Sequence, residues 1–181
     1  SGAFKPGSEA DEAGPTPASD RALDAVSMIN EYLAREHCDD GMFVTLFFCV
    51  IHPESGRVDY VNAGHEPAML IGKTGLRQSL EATGPALGPV SGAAYETGTC
   101  RMTPGDLLFG YTDGITEARS PARDFYSRER LQKIINSAMT GSQAGTAEEF
   151  ITLVKKDLFE FIGPAAQSDD ITMLAVKWQP V

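Results

Sequence analysis

Acidic residues stand twice at the junction of a hydrophobic run and a turn. Tyr111 to Ala118 reads YTDGITEA, and Ser168 to Met173 reads SDDITM. A carboxylate at a strand end is held by the rigid sheet behind it. Carboxylates held this way suit a hard divalent cation, because Mg²⁺ and Mn²⁺ take oxygen ligands in near-octahedral geometry with water completing the shell. Asp113 and Asp169 are the candidate metal ligands. Thr112, Gly114 and Glu117 surround the first as supporting groups. Adjacent side chains on a strand point oppositely, so Asp170 is assigned a hydrogen-bonding role beside Asp169 rather than a ligand position. Plainer readings stand alongside: Asp-Gly is a common turn pair, and Asp169-Asp170 suits a solvated loop end. The two turns can meet only if the strands that carry them are neighbours.

Other chemistries are less well supported. Asn62-Ala63-Gly64-His65 ends a strand-like run; Asn62 is a further supporting candidate, and His65 reads as a hydrogen-bonded turn residue, since no second histidine sits at a metal-ligand spacing. No GxSxG element is present for a serine nucleophile. Gly84-Pro-Ala-Leu-Gly88 lacks phosphate-loop spacing. Three cysteines (Cys38, Cys49, Cys100) without a CxxC pair argue against zinc and against a disulfide framework. Cys49 reads as a small buried residue, and the cysteine usage fits a reducing cytoplasm.

The elements that must position these groups follow from periodicity. Residues 1–18, rich in Gly, Pro, Ala and acids, read as a linker or loop. A helix is expected from Ser19, as N-cap, to Glu36, with Ala22, Val26, Ile29 and Leu33 on one stripe. Phe43 to Ile51 (FVTLFFCVI) reads as a strand buried on both faces. Arg57 to Asn62 is its return strand. Ala68 to Ile71 and Leu76 to Ser79 form a hairpin, and Tyr95 to Met102 and Leu107 to Tyr111 are strands about a tight Pro104-Gly105-Asp106 turn. Two helices follow, capped by Ser127 (inner face Leu131, Ile134, Ile135, Ala138) and by Thr146 with Glu149 in a capping box (stripe Phe150, Val154, Leu158, Phe161). Ile171 to Trp178 is the last strand. Strands in hairpins and helices in separate runs indicate an α+β fold with antiparallel sheets. At 181 residues and 42% hydrophobic the chain suits one domain. A net charge of −10 disfavours nucleic acid and anionic membranes as partners. A phosphorylated substrate stays compatible, because a bound cation inverts the local field.

FVTLFFCVI, YVNAGHEPAML, TGPALG, PGDLLFGYTDGITEA, ERL and QSDDITMLAV, in that order over residues 20–178, resemble the SpoIIE-type bacterial serine/threonine phosphatases, the RsbU-like branch of the type 2C phosphatases. The resemblance implies an α-β-β-α sandwich carrying two Mn²⁺ or Mg²⁺ ions. It implies hydrolysis by metal-activated water, with no catalytic residue apart from the metal ligands. The substrate it implies is phosphoserine or phosphothreonine on a regulatory protein, such as a STAS-type anti-sigma-factor antagonist. Asp113 and Asp169 match two of the family's ligands.

Two family segments, a GDxxD-like strand and a GDVxGKG-like strand, have no counterpart in the sequence, and Tyr126-Ser127 stands where the family has Gly before ERL. The expectation is therefore that residues 19–181 are the C-terminal two-thirds of such a domain. This stretch alone would bind one ion weakly or none, be inactive by itself, and pair through open sheet edges as a homodimer. The rival reading is a degenerate, non-catalytic module that sequesters a signalling partner.

Overall fold

A computed structural model describes residues 17–36, 41–141 and 145–180. The element order is α1 (Pro17–Glu36), β1 (Leu46–His52), β2 (Arg57–Ala63), β3 (Ala68–Gly72), β4 (Gly75–Leu80), β5 (Gly98–Arg101), β6 (Leu107–Tyr111), α2 (Arg128–Thr140), α3 (Ala147–Ile162) and β7 (Met173–Lys177). Two antiparallel sheets form, one ordered β1-β2-β5 and the other β4-β3-β6-β7. The expected α+β sandwich is thus the observed fold.

Side-chain alternation builds the layers. Along β3, Ala68 and Leu70 face Val58, Tyr60, Cys100 and Met102 of the first sheet, filling the space between sheets. Met69 and Ile71 face the other way. They join Leu107, Phe109 and Tyr111 of β6 under Leu131 and Ile135 of α2 and Phe150, Val154 and Leu158 of α3. α1 covers the outer face of the first sheet through Val26, against Val61, Ala63 and Leu87.

Several expectations need correction. The linker assigned to residues 1–18 falls almost wholly outside the described residues, as does Cys38. α1 begins at Pro17, so Ser19 lies within the helix instead of capping it. Ile29 is 44% exposed and Asn30 is buried in its place. The Asn30 amide donates to Val90 O at 2.9 Å and accepts from Gly88 N at 3.0 Å, which rotates the helix to put a polar residue inward.

The FVTLFFCVI run is not buried on both faces. Among the described residues β1 is an edge strand paired with β2 alone, and Phe48, Phe43 and Val44 are 40%, 63% and 42% exposed. Cys49, on that edge, is half-buried. β5 is shorter than expected because Tyr95 turns into the α1-side cluster. Ser127 precedes α2 but makes no side-chain cap, its φ of 67° directing it elsewhere. Ile162, not Phe161, completes the buried stripe of α3. Thr146 and Glu149 form the expected capping box, with bonds of 2.9 and 3.1 Å.

One charged clasp joins the two helices over the second sheet. Arg130 of α2 donates to both carboxylate oxygens of Asp157 at 3.0 and 3.1 Å, and Tyr126 Oη donates at 2.8 Å. Burial pushes the Asp157 pKa up, but these three donors outweigh it and hold the pKa below the usual carboxylate value. A lowered folded pKa contributes stability above the unfolded value, about pH 4 for Asp, and loses it as pH falls through the folded value. Asp157→Asn is expected to lower stability at neutral pH by about 1–2 kcal/mol. It should also flatten the acid limb of stability against pH below about pH 4, read by urea unfolding at a series of pH values. An acid limb identical to wild type would remove the clasp's role.

Candidate metal centre

β6 and β7 are neighbours, in the register Tyr111↔Met173. The residues just past this last rung on each strand are the two acidic turns. Thr112 extends the pairing beyond the ladder. Its backbone N–H donates to Thr172 O at 3.2 Å, and its hydroxyl accepts from Thr172 N at 3.0 Å and donates to Asp170 O at 2.9 Å. The β-branched threonine, stiff at χ1, can hold this bridging geometry at little further entropic cost.

Gly114 lets the turns touch. A Cβ there would lie 2.3 Å from Asp170 O, 3.0 Å from Asp170 C and 3.5 Å from Asp169 C. Only a residue without a side chain allows this approach. The Asp113 turn is closed from within by Ile115 N to Thr112 O at 3.0 Å and Glu117 N to Asp113 O at 2.8 Å. Thr116 Oγ1 adds a bond to Asp113 O at 3.2 Å. Ile115, fully buried, anchors the turn to the core under the helices.

The second turn is ordered by its own polar groups. Asp169 Oδ1 accepts from Asp170 N at 2.7 Å, and Asp169 O accepts from Gln167 Nε2 at 2.7 Å. Asp170 supports the site through its backbone rather than its carboxylate, as donor to Asp169 and acceptor from Thr112. Asp113, Asp169, Asp170 and Glu117 are all exposed. Among the described residues, neither the Asp113 nor the Asp169 carboxylate forms an ion pair. Two exposed carboxylates on touching turns, neither neutralised by an ion pair, are hard oxygen groups of the kind a divalent cation takes. Two carboxylates suit one ion with water in the other positions. Among the described residues, no group of three or more His, Cys, Asp or Glu gathers to hold a metal.

Asn62 is not joined to this corner. It is fully buried, donating from Nδ2 to Leu80 O at 3.1 Å and accepting at Oδ1 from His65 N at 2.8 Å. Its amide ties β2 to β4, one sheet to the other. His65 is the hydrogen-bonded turn residue expected, with Nδ1 3.1 Å from Thr45 Oγ1.

The pattern did not single out Glu66, which accepts from Tyr111 Oη at 3.3 Å. Burial, with the Glu66 carboxylate beside it, pushes the Tyr111 hydroxyl well above its ordinary pKa, so it stays a donor. Tyr111 stands two residues before Asp113, and Glu66 thus pins the strand end that delivers it. Gln167 was also missed. Glu66 carries no sequence signal because it reaches Tyr111 only across 45 residues of chain, whereas Gln167 acts locally, two residues before Asp169, in a polar run that does not mark it out.

Comparison with known proteins shows the family to which the chain belongs. The chain is 40% identical over 154 residues to Protein IcfG of Synechocystis sp., covering 85% of this chain and 24% of that protein. It is 27% identical over 146 residues to Phosphoserine phosphatase RsbU of Bacillus subtilis, covering 80% of this chain and 42% of that one. The chain therefore spans less than half the length of either curated relative. A solved structure of the phosphatase domain of the cell fate determinant SpoIIE from Bacillus subtilis, presoaked with Mn, superposes with a TM-score of 0.61. It shares 16% identity and covers 94% of this chain and 77% of that one. Residues 16–179 match the family model for Stage II sporulation protein E (SpoIIE), and the chain belongs to that family of type 2C phosphatase domains.

Proposed function

We propose that this chain is the C-terminal part, residues 19–181, of a metal-dependent domain that hydrolyses phosphoserine or phosphothreonine on a regulatory protein. The contact between the Asp113 turn and the Asp169-Asp170 turn, through Thr112 and Gly114, is the observation that carries the reading. The name of RsbU supports the reaction class, and the manganese presoak of the SpoIIE crystal supports the cofactor class.

Asp113 and Asp169 would hold Mn²⁺ or Mg²⁺. Such an ion, when bound, lowers the pKa of water and offsets charge on a phosphoryl group. The chain's own groups prepare its place. Thr112 fixes the spacing of the turns, Glu66 holds Tyr111 and hence the end of β6, and the Asp169 carboxylate is oriented by Asp170 N. A second ion would need oxygen ligands beyond Asp113 and Asp169. The regulatory protein is proposed to be of the STAS type and the compartment the cytoplasm; no described helix is long and apolar enough to cross a membrane. The rival reading, a non-catalytic module, has one observation on its side, the lack of a three-acid group among the described residues.

Asp113→Ala and Asp169→Ala should each reduce Mn²⁺ affinity of the chain at least tenfold by calorimetry. In the full-length natural protein both should abolish Mn²⁺-dependent phosphate release from a phosphoserine peptide. Unchanged metal heats in both variants would remove the ligand assignment; metal binding with no phosphate release from wild type would favour the sequestering module. Both substitutions lie on the surface and should leave stability within about 0.5 kcal/mol of wild type.

Gly114→Ala should behave differently. The added methyl collides with Asp170 O, so the turns must part. Stability is expected to fall by about 1–3 kcal/mol, together with Mn²⁺ affinity. A Gly114→Ala protein with wild-type melting temperature and metal binding would show that the close approach is dispensable.

A further inference from the structure

The chain between the Asp113 turn and α2 forms a small closed loop. Arg119 and Phe125 face each other in an antiparallel bridge. Inside it, Ser120 N donates to Asp124 O at 3.0 Å, Arg123 N to Ser120 O at 2.8 Å, and Asp124 N to Ser120 Oγ at 3.2 Å. Its base is stitched to the acidic turn by Tyr126 N to Ala118 O at 2.8 Å and Ser127 N to Thr116 O at 2.9 Å. Buried Tyr126 roots it in the core. The loop is therefore fixed to the far end of the acidic turn, at Thr116 and Ala118.

Two features set it apart. Arg123 and Ser127, with φ of 70° and 67°, are the only non-glycine residues of the described chain in the left-handed region. Such backbone is strained and tends to persist where it serves a site. The loop is also rich in cations. It holds two of the chain's fifteen lysines and arginines, Arg119 and Arg123, and Arg128 and Arg130 follow in the first turn of α2, in a protein of net charge −10. Arg128 is engaged with Ser79 and Glu81, and Arg130 with Asp157. Arg119 and Arg123 are exposed, and among the described residues neither forms an ion pair. Asp124 is the loop's one acidic residue, leaving it an excess of one positive charge. Arg119 lies 4.3 Å above the Phe125 ring, itself 51% exposed, which presents guanidinium and aromatic face as one unit.

We infer that the 119–125 loop docks the acidic segment flanking the phosphoserine of the protein substrate, with Arg119 and Arg123 pairing its carboxylates and Phe125 its apolar side chains. This rests on the phosphatase reading. The charge balance supports it: Asp113, Glu117, Asp169 and Asp170 repel an acidic phosphoprotein, and guanidiniums free of ion pairs among the described residues, on the same stretch of chain, offset that repulsion and steer encounter. Phe125 adds a contact that salt does not screen.

The test is fluorescence anisotropy with two labelled phosphoserine peptides of equal length, one flanked by aspartate and glutamate and one by lysine, without added metal. Wild type should bind the acidic peptide at least fivefold more tightly. Arg119→Glu/Arg123→Glu should erase or reverse that preference, and Arg119→Lys/Arg123→Lys should retain most of it. Arg101→Glu, on exposed β5, should leave it unchanged. Arg123→Glu alone, with folding checked by circular dichroism, covers the case in which the double variant unfolds. Equal binding of both peptides by wild type, no binding of either, or a preference that survives charge reversal would overturn the docking role. Failure of the phosphatase reading shows separately, as absent Mn²⁺-dependent phosphate release by the full-length natural protein, because the peptide preference is measured without metal.

Discussion

The site depends on one pairing, that of β6 with β7. Everything that brings Asp113 near Asp169 is a continuation of this ladder past its last rung. The sheet fixes the strands, Thr112 carries the hydrogen bonding two residues further, and Gly114 removes the side chain that would hold the turns apart. The helices over this sheet carry neither of the two acidic turns. Their part is to bury Ile115 and Tyr126, which root the acidic turn and the loop after it in the core. Strength is kept away from the acidic corner, in the apolar layer and in the Arg130–Asp157–Tyr126 clasp, so the corner itself can stay exposed and electrically unbalanced.

Buried polar side chains do a second job, fixing connections the ladders do not reach. Asn62 joins the two sheets at β2 and β4, Asn30 ties α1 to the backbone at 88–90, and Asp106 closes the Thr103 turn at the start of β6 through Thr103 N and Oγ1 and through Arg77. Each is satisfied on both sides or nearly so, which is the condition for burying it without a net penalty. These contacts set where the loops lie, and so where the strand ends point.

Much of this was legible in the amino-acid order. Hairpin strands around Gly turns, the capping box at Thr146 and the β6 bounds at Leu107 and Tyr111 all follow from local pattern, because local chemistry determines them. The acidic turns stood out for the same reason: carboxylates at strand ends are unusual company for an apolar run. What local pattern misjudged was long-range. The FVTLFFCVI run looks doubly buried, yet burial depends on what lies across and beside it. Ile29 and Asn30 exchange roles because a loop sixty residues away needs the amide. Asn62 looked like a site residue, being polar at a strand end, but its partners are backbone atoms of another sheet and turn. Glu66 reaches Tyr111 only through the fold.

The bare side of β1 has a consequence for handling the protein. LFFCVIH contains no proline and no lysine, the gatekeepers that usually keep a free ladder from templating another. Among the described residues no strand covers this side, and Phe48 is exposed beside it, so rising concentration favours strand-to-strand association there. A lysine introduced at the outward-facing Phe48 position is the economical way to keep such samples monodisperse.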